Sequence, residues 1–219
     1  MTDGAGGGPE HTRSERGLRS GSGPIVNAPP VVLIVIAVLI GIQLALQLAG
    51  RDWQIWSLYA FSLNPIRFQG PGATAMIEGS QYWSLVTYAF LHDGWMHVLL
   101  NSLWLVIFGT PVARHFGTMR FLLIALISTI GGAVAMLILF WGQFIIAVGA
   151  SAAVSGLLAA AIPIMFAGPF GPLSFREFLR DRRAIIFTLV FLLMTLATGV
   201  QGLPGFADGA RIAWEAHLG

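Results

Sequence analysis

Apolar and polar positions along this chain separate into long blocks instead of alternating between two faces. The run that opens at Pro30 and ends at Ala49, VVLIVIAVLIGIQLALQLA after its proline, carries no charge, and Arg51-Asp52 follows it at once. A helix rising 1.5 Å per residue needs about 20 apolar residues to cross a bilayer. The pattern therefore predicts a membrane-spanning helix over 30–49, and comparable runs predict others over 95–112, 120–141, 144–166 and 184–200. A sixth apolar segment, 206–219, is too short to cross and reads as a helix cut off by the end of the sequence. Between the first two runs lie Trp53, Trp56, Tyr59 and Trp83 among Pro, Gly and polar residues, a text suited to a loop at the headgroup level. Residues 1–24 are rich in Gly, Ser and Arg and read as a disordered tail, with no cleavable signal peptide ahead of the first run.

Composition agrees with that pattern: 56% of the residues are hydrophobic and 10% charged, too apolar a balance for a water-soluble domain of 219 residues. The expected fold class is all-α, a polytopic membrane protein whose membrane domain occupies 25–219. The absence of cysteine excludes a disulfide framework, a thiolate nucleophile and a cysteine metal site. Every basic side chain other than histidine is arginine, which in this setting is a topology signal and not a nucleic-acid footprint. Arg13, Arg16, Arg19, Arg114, Arg120, Arg176, Arg180, Arg182 and Arg183 fall on one side of a six-span arrangement, and Arg51, Arg67 and Arg211 on the other. The positive-inside rule then places the amino terminus in the cytoplasm and the aromatic loop outside. Arginine without lysine also points to a GC-rich bacterial genome, and so to a bacterial plasma membrane.

Polar side chains inside a bilayer are costly and mark function by default. Here they are few. His97 and Asn101 stand four residues apart on one face of the second run, Ser151 and Ser155 lie in the fourth, and His217 lies in the sixth, behind Gly209 and Ala213. Counting about 1.5 Å per residue from the outer ends brings Ser151, His217 and the His97–Asn101 pair into one layer. A serine hydroxyl becomes a nucleophile when a neighbouring base takes its proton, so Ser151 with His217 forms a candidate dyad. His97, the Asn101 amide and the Ser151 backbone N–H are candidate oxyanion donors. Gly149 and Ala150 leave room for a peptide backbone beside Ser151. No metal or organic cofactor is implied.

In this order and on these runs, His97-Val98-Leu99-Leu100-Asn101, Gly149-Ala150-Ser151 and Ala216-His217 resemble the His-x-x-x-Asn, Gly-x-Ser and Ala-His motifs of the rhomboid family of intramembrane serine proteases. The resemblance covers most of the chain apart from the amino-terminal tail. It implies a six-helix bundle with the sixth helix truncated, a Ser–His dyad without a catalytic carboxylate, and a site open to the extracytoplasmic side. It also implies hydrolysis of peptide bonds in or near transmembrane segments, so that the partners are transmembrane protein substrates and membrane lipids. Four departures stand out: Ala152 after the serine where the family often has Gly, Trp83-Ser84 where it usually has Trp-Arg, Ser155 where an aromatic is frequent, and only two residues after His217.

Other roles suit the same residues. Ser151 and Ser155 fit a close helix crossing, since small residues four apart promote packing in membranes. His97 also suits an interfacial anchor, and Asn101 an interhelical hydrogen bond. His92, beside Asp93 and Gly94, reads as a surface group at an outer turn, and the Arg176–Arg183 segment as a topology determinant. An inactive relative that binds or escorts transmembrane helices is the alternative function; a small transporter or channel would show mid-span charges or internal repeats, and none is apparent.

Overall fold

A computed structural model describes residues 27–70, 77–168 and 171–201 of the protein, with side chains through residue 193. The described residues are mostly helical and contain no strand, only two isolated bridges. Helix α1, Pro30–Ala49, coincides with the first apolar run: Pro30 sits at its first position, where no N–H is needed, and Gly50 closes it at φ 93°. Most of its side chains face outward, Ile34 61% and Leu48 78% exposed, while Val32 and Leu39 are buried against neighbouring helices. A helix that is apolar all round and buried on one stripe matches a lipid environment and not a soluble core.

The text between the first two apolar runs is largely helical, which the reading of it as a loop did not foresee. Helix α2 spans Arg51–Phe61, a short 3-10 turn covers Pro65–Gln69, and α3 spans Ser80–Thr87. A helix leaves its last four carbonyls without intrahelical partners, and at the end of α2 side chains answer them. The Arg67 guanidinium donates to the carbonyls of Tyr59 (2.6 Å), Leu58 (3.3 Å) and Ser62 (2.8 Å). The Trp83 indole N–H donates to Ala60 (2.7 Å) and the Thr87 hydroxyl to Phe61 (2.8 Å). Arg67 is buried. An arginine thus anchors this region although residue 84 is serine; it reaches in from another place in the chain.

Helix α4, Trp95–Trp104, continues through a π-helical turn, Leu105–Gly109, into α5, Thr110–Leu139. Gly117, at φ 82° and ψ 168°, breaks α5 into two limbs. The spans expected over 95–112 and 120–141 leave 113–119 between them; the chain turns there at a single glycine, with Arg114 and Arg120 helical on either side. The limbs fold back on each other. A Cβ added to Gly109 would lie 2.9 Å from the Phe121 ring, whereas an unbroken helix would hold residues twelve apart by roughly 18 Å.

The second limb of α5 packs closely on α6, Ser151–Met165. Gly156 permits the approach, since a Cβ there would meet the Ser128 Oγ at 1.7 Å. The expected helix over 144–166 therefore begins seven residues late. Residues 144–150 are not helical: Ala147 pairs with Leu63 in an isolated antiparallel bridge (N–H to carbonyl 2.9 and 3.1 Å), and Gly142 and Gly149 adopt positive φ. An apolar run carries no helical periodicity of its own, so its partners decide its conformation. A four-residue helix α7, Phe175–Phe178, capped by a Ser174–Glu177 capping box, precedes α8, Arg182–Gln201. The sixth apolar segment, 206–219, and the amino-terminal tail, 1–24, lie outside the described residues.

Val98, Phe108, Val112, Phe121, Leu157 and Ala161 form the main buried cluster, joining α4, both limbs of α5, and α6. A second cluster of Leu63, Tyr88, Met136, Ala147 and Ala152 fastens the α2–α3 region to the end of α5 and the start of α6.

Candidate functional site

Ser151 is the first residue of α6, one position after its N-cap, Ala150 (φ −78°, ψ 8°). The first hydrogen bond of this helix runs from the Val154 N–H to the Ala150 carbonyl at 3.0 Å. The N–H groups of Ser151, Ala152 and Ala153 accordingly have no intrahelical acceptor, and the helix dipole gives this end partial positive character. Depth counted along a helix from residue 144 does not apply, since Ser151 starts the helix at the end of an extended segment.

That segment delivers the serine to α4. Gly149, at φ 117°, lies directly against His97: a Cβ added there would stand 2.7 Å from both Cε1 and Nε2 of the imidazole and 3.9 Å from Nδ2 of Asn101. Glycine is required twice over, for its backbone conformation and for the ring beside it. Asn101 is buried and donates from Nδ2 to the His97 carbonyl (3.0 Å), one turn up the same helix. His97 Nδ1 accepts the Asp93 N–H (3.3 Å). A neutral imidazole that accepts at Nδ1 carries its proton on Nε2, the atom that faces Gly149. Gly149, Ala150, His97 and Asn101 are therefore brought together, with Ser151 next in the chain. His217, the sixth-segment partner expected for Ser151, lies outside the described residues.

His92 is placed differently from its reading as a surface group. It is largely enclosed, its ring meets that of His97 edge-on (5.0 Å between centroids, 76° between planes), and its Nε2 accepts the Ala150 N–H at 3.4 Å. Burial, with the neighbouring His97 as a second cause, pushes its pKa down to about 3, so the ring is neutral at ordinary pH. Tyr88 was also passed over. Its carbonyl accepts the Gly149 N–H (2.9 Å) while its buried hydroxyl donates to the Thr129 carbonyl in α5 (2.8 Å). The available signal was spacing: Tyr88, His92, His97 and Asn101 recur at four- and five-residue steps on the approach to and along one helix.

These observations define a helical membrane protein in which a serine opens a helix beside a histidine–asparagine pair. The Rhomboid domain family model matches residues 79–219, and the chain belongs to that family. It is 34% identical over 126 residues to the RHOMBOID-like protein 6, mitochondrial, of Arabidopsis thaliana, covering 51% of this chain and 40% of that protein. It is 33% identical over 132 residues to the Rhomboid protease GluP of Bacillus subtilis (60% and 24% covered). With the Rhomboid protease GlpG of Pectobacterium atrosepticum it shares 29% identity over 103 residues (47% and 33%). The matches thus take in two-fifths or less of these relatives' own lengths. They come from a plant as well as from bacteria, so the likeness does not assign the chain to a bacterial membrane.

Proposed function

We propose that the protein is an intramembrane serine endopeptidase that hydrolyses peptide bonds in or near transmembrane segments of membrane proteins. The observation that carries this reading is the seating of Gly149, two residues before Ser151, against the His97 Nε2 edge and the Asn101 amide. The glycine lets the segment that carries Ser151 approach two side chains whose N–H groups can donate to an oxyanion. Two relatives named as rhomboid proteases support it.

In this reading His217 takes the Ser151 hydroxyl proton as Oγ attacks the scissile carbonyl carbon. The tetrahedral oxyanion is met by the His97 Nε2–H, the Asn101 Nδ2–H and the Ser151 backbone N–H. Collapse expels the amine, which leaves with the proton from His217, and Ser151 remains acylated. Water attacks the ester, His217 again takes and returns the proton, and the acid leaves. The positive-inside distribution of arginine supports a cytoplasmic amino terminus and a site open to the extracytoplasmic side.

The test is cleavage of a single-span model substrate in liposomes by the native chain, by Ser151→Ala and by His217→Ala. Cleavage by the native chain and its loss in both variants is the expected result. Binding of transmembrane peptides without cleavage by the native chain would replace this reading with the helix-escort alternative.

A further inference from the structure

The extended segment that precedes Ser151 is pinned at three successive points. Ala147 pairs with the Leu63 backbone, the Gly149 N–H reaches the Tyr88 carbonyl, and the Ala150 N–H reaches the His92 imidazole. The first two pins are backbone to backbone, and any side chain at Leu63 or Tyr88 would preserve them. The third, nearest the serine, depends on a side chain. Ala150 is buried at 5% exposure, so its N–H has no water to turn to if that acceptor is removed. His92 is also the ring against which His97 packs, and the next residue, Asp93, supplies the N–H that fixes the His97 tautomer. One short turn between α3 and α4 therefore holds both halves of the site: the serine's turn through His92, and the Nε2–H donor through the His92 ring and the Asp93 amide.

We propose that His92 is a positioning residue for the nucleophile, its Nε2 lone pair holding the Ala150 N–H so that Ser151 is set opposite His97 and Asn101. This inference rests on the protease reading of Ser151. The acceptor must be neutral, with the proton on Nδ1, because an imidazolium has no lone pair for the Ala150 N–H. The charged or titratable groups beside it are His97 and Asp93 on the α4 side; α6 presents Ser151 at this end and carries no ionisable side chain along its length. Burial holds the ring neutral well below physiological pH, so the pin persists across the working range.

Two substitutions separate the acceptor from the ring. His92→Phe keeps an edge for His97 to pack on and removes the acceptor; His92→Gln removes the ring and keeps a neutral acceptor at similar reach. Each is assayed for cleavage of the single-span substrate, for thermal unfolding, and for hydrogen exchange of the Ala150 amide by mass spectrometry of peptides covering 147–153. His92→Phe should lower kcat by about 10-fold or more, as sub-ångström to 1 Å misplacement of a reacting group does, with KM within about twofold and faster Ala150 exchange. His92→Gln should return kcat to within about threefold of the native value and restore the exchange protection. Native kcat in His92→Phe, or a His92→Gln variant as impaired as His92→Phe, would overturn the proposal. Should the native chain cleave nothing, the protease reading falls on that arm alone. The exchange arm still decides the pin: unchanged Ala150 protection in His92→Phe refutes it, and selective loss supports it.

Discussion

Replacing Gly149 by alanine puts the geometry of the site under direct load. The backbone at φ 117° is one that an L-residue adopts at a cost of about 1–3 kcal/mol. The new methyl would stand 2.7 Å from two atoms of the His97 ring, so the imidazole must retreat by somewhat under 1 Å to restore ordinary contact, and overpacking of this kind costs about 1–3 kcal/mol. The two effects together lower stability by about 2–6 kcal/mol, or roughly 4–24 °C in the unfolding midpoint for a domain of this size. Displacement of His97 by that distance should lower kcat by up to about 100-fold. Gly50→Ala separates strain from collision: Gly50 has φ 93°, with nothing within 4 Å of a Cβ, and lies at the junction of α1 and α2. It should lose stability through strain alone and keep kcat within about threefold. Thermal unfolding in detergent and steady-state cleavage of the single-span substrate measure both quantities. If Gly149→Ala turns over no more slowly than Gly50→Ala, His97 is not held against this turn and the reasoning fails.

Arg67→Met should lower the unfolding midpoint by several degrees, because it leaves the carbonyls of Tyr59 and Ser62 without their donors at about 1–3 kcal/mol for each buried group; an unchanged midpoint would show that water replaces them. Gly156→Ala should destabilise by about 1–3 kcal/mol through collision with Ser128, and Ser128→Gly in the same chain should recover much of that loss; additive effects of the two changes would argue against the contact. The partly buried His92 carries a pH signature whose sign follows from its lowered pKa. The unfolded imidazole takes up its proton near pH 6.5 and the folded one only near pH 3, so its contribution to stability is complete above about 6.5 and is lost as pH falls from there toward 3. His92→Gln should flatten the midpoint-against-pH curve across that window, and an identical slope in both proteins would contradict the assignment.

Helix α1 could be read from the sequence because every determinant agrees: twenty uncharged residues, a proline at the first turn and a glycine immediately after the last. Other boundaries were not legible, for identifiable reasons. Arg114 and Arg120 mark the ends of two expected helices, and only the backbone of Gly117 shows where between them the chain turns. Residues 144–150 are as apolar as a helix core, and their extended form is imposed by Leu63 and Tyr88, partners 50 or more residues away that no local pattern announces. The aromatic region hid α2 and α3 because tryptophan suits an interfacial helix and an interfacial loop equally.

His97, Asn101 and Gly149 stand out in the sequence as site candidates because an ionisable or amide group in apolar text, and a small residue beside a serine, each have few explanations. The juxtaposition of Gly149 with His97 gives the glycine a reason beyond space for a substrate. His92 was misread because a His-Asp-Gly sequence is also what an exposed turn looks like; its burial comes from Ala150 and His97 closing over it. The Arg67 anchor shows the same limit, since its acceptors are backbone carbonyls, which leave no trace in a sequence.

The most direct test of the account is covalent labelling of the full chain in membranes with a fluorophosphonate, read by the mass of the modified peptide. The account predicts a single phosphonylated residue, Ser151, with labelling abolished in Ser151→Ala and strongly slowed in His217→Ala. Unmodified Ser151 under conditions that label a known serine protease in the same membranes would contradict it, as would labelling that proceeds unchanged without His217.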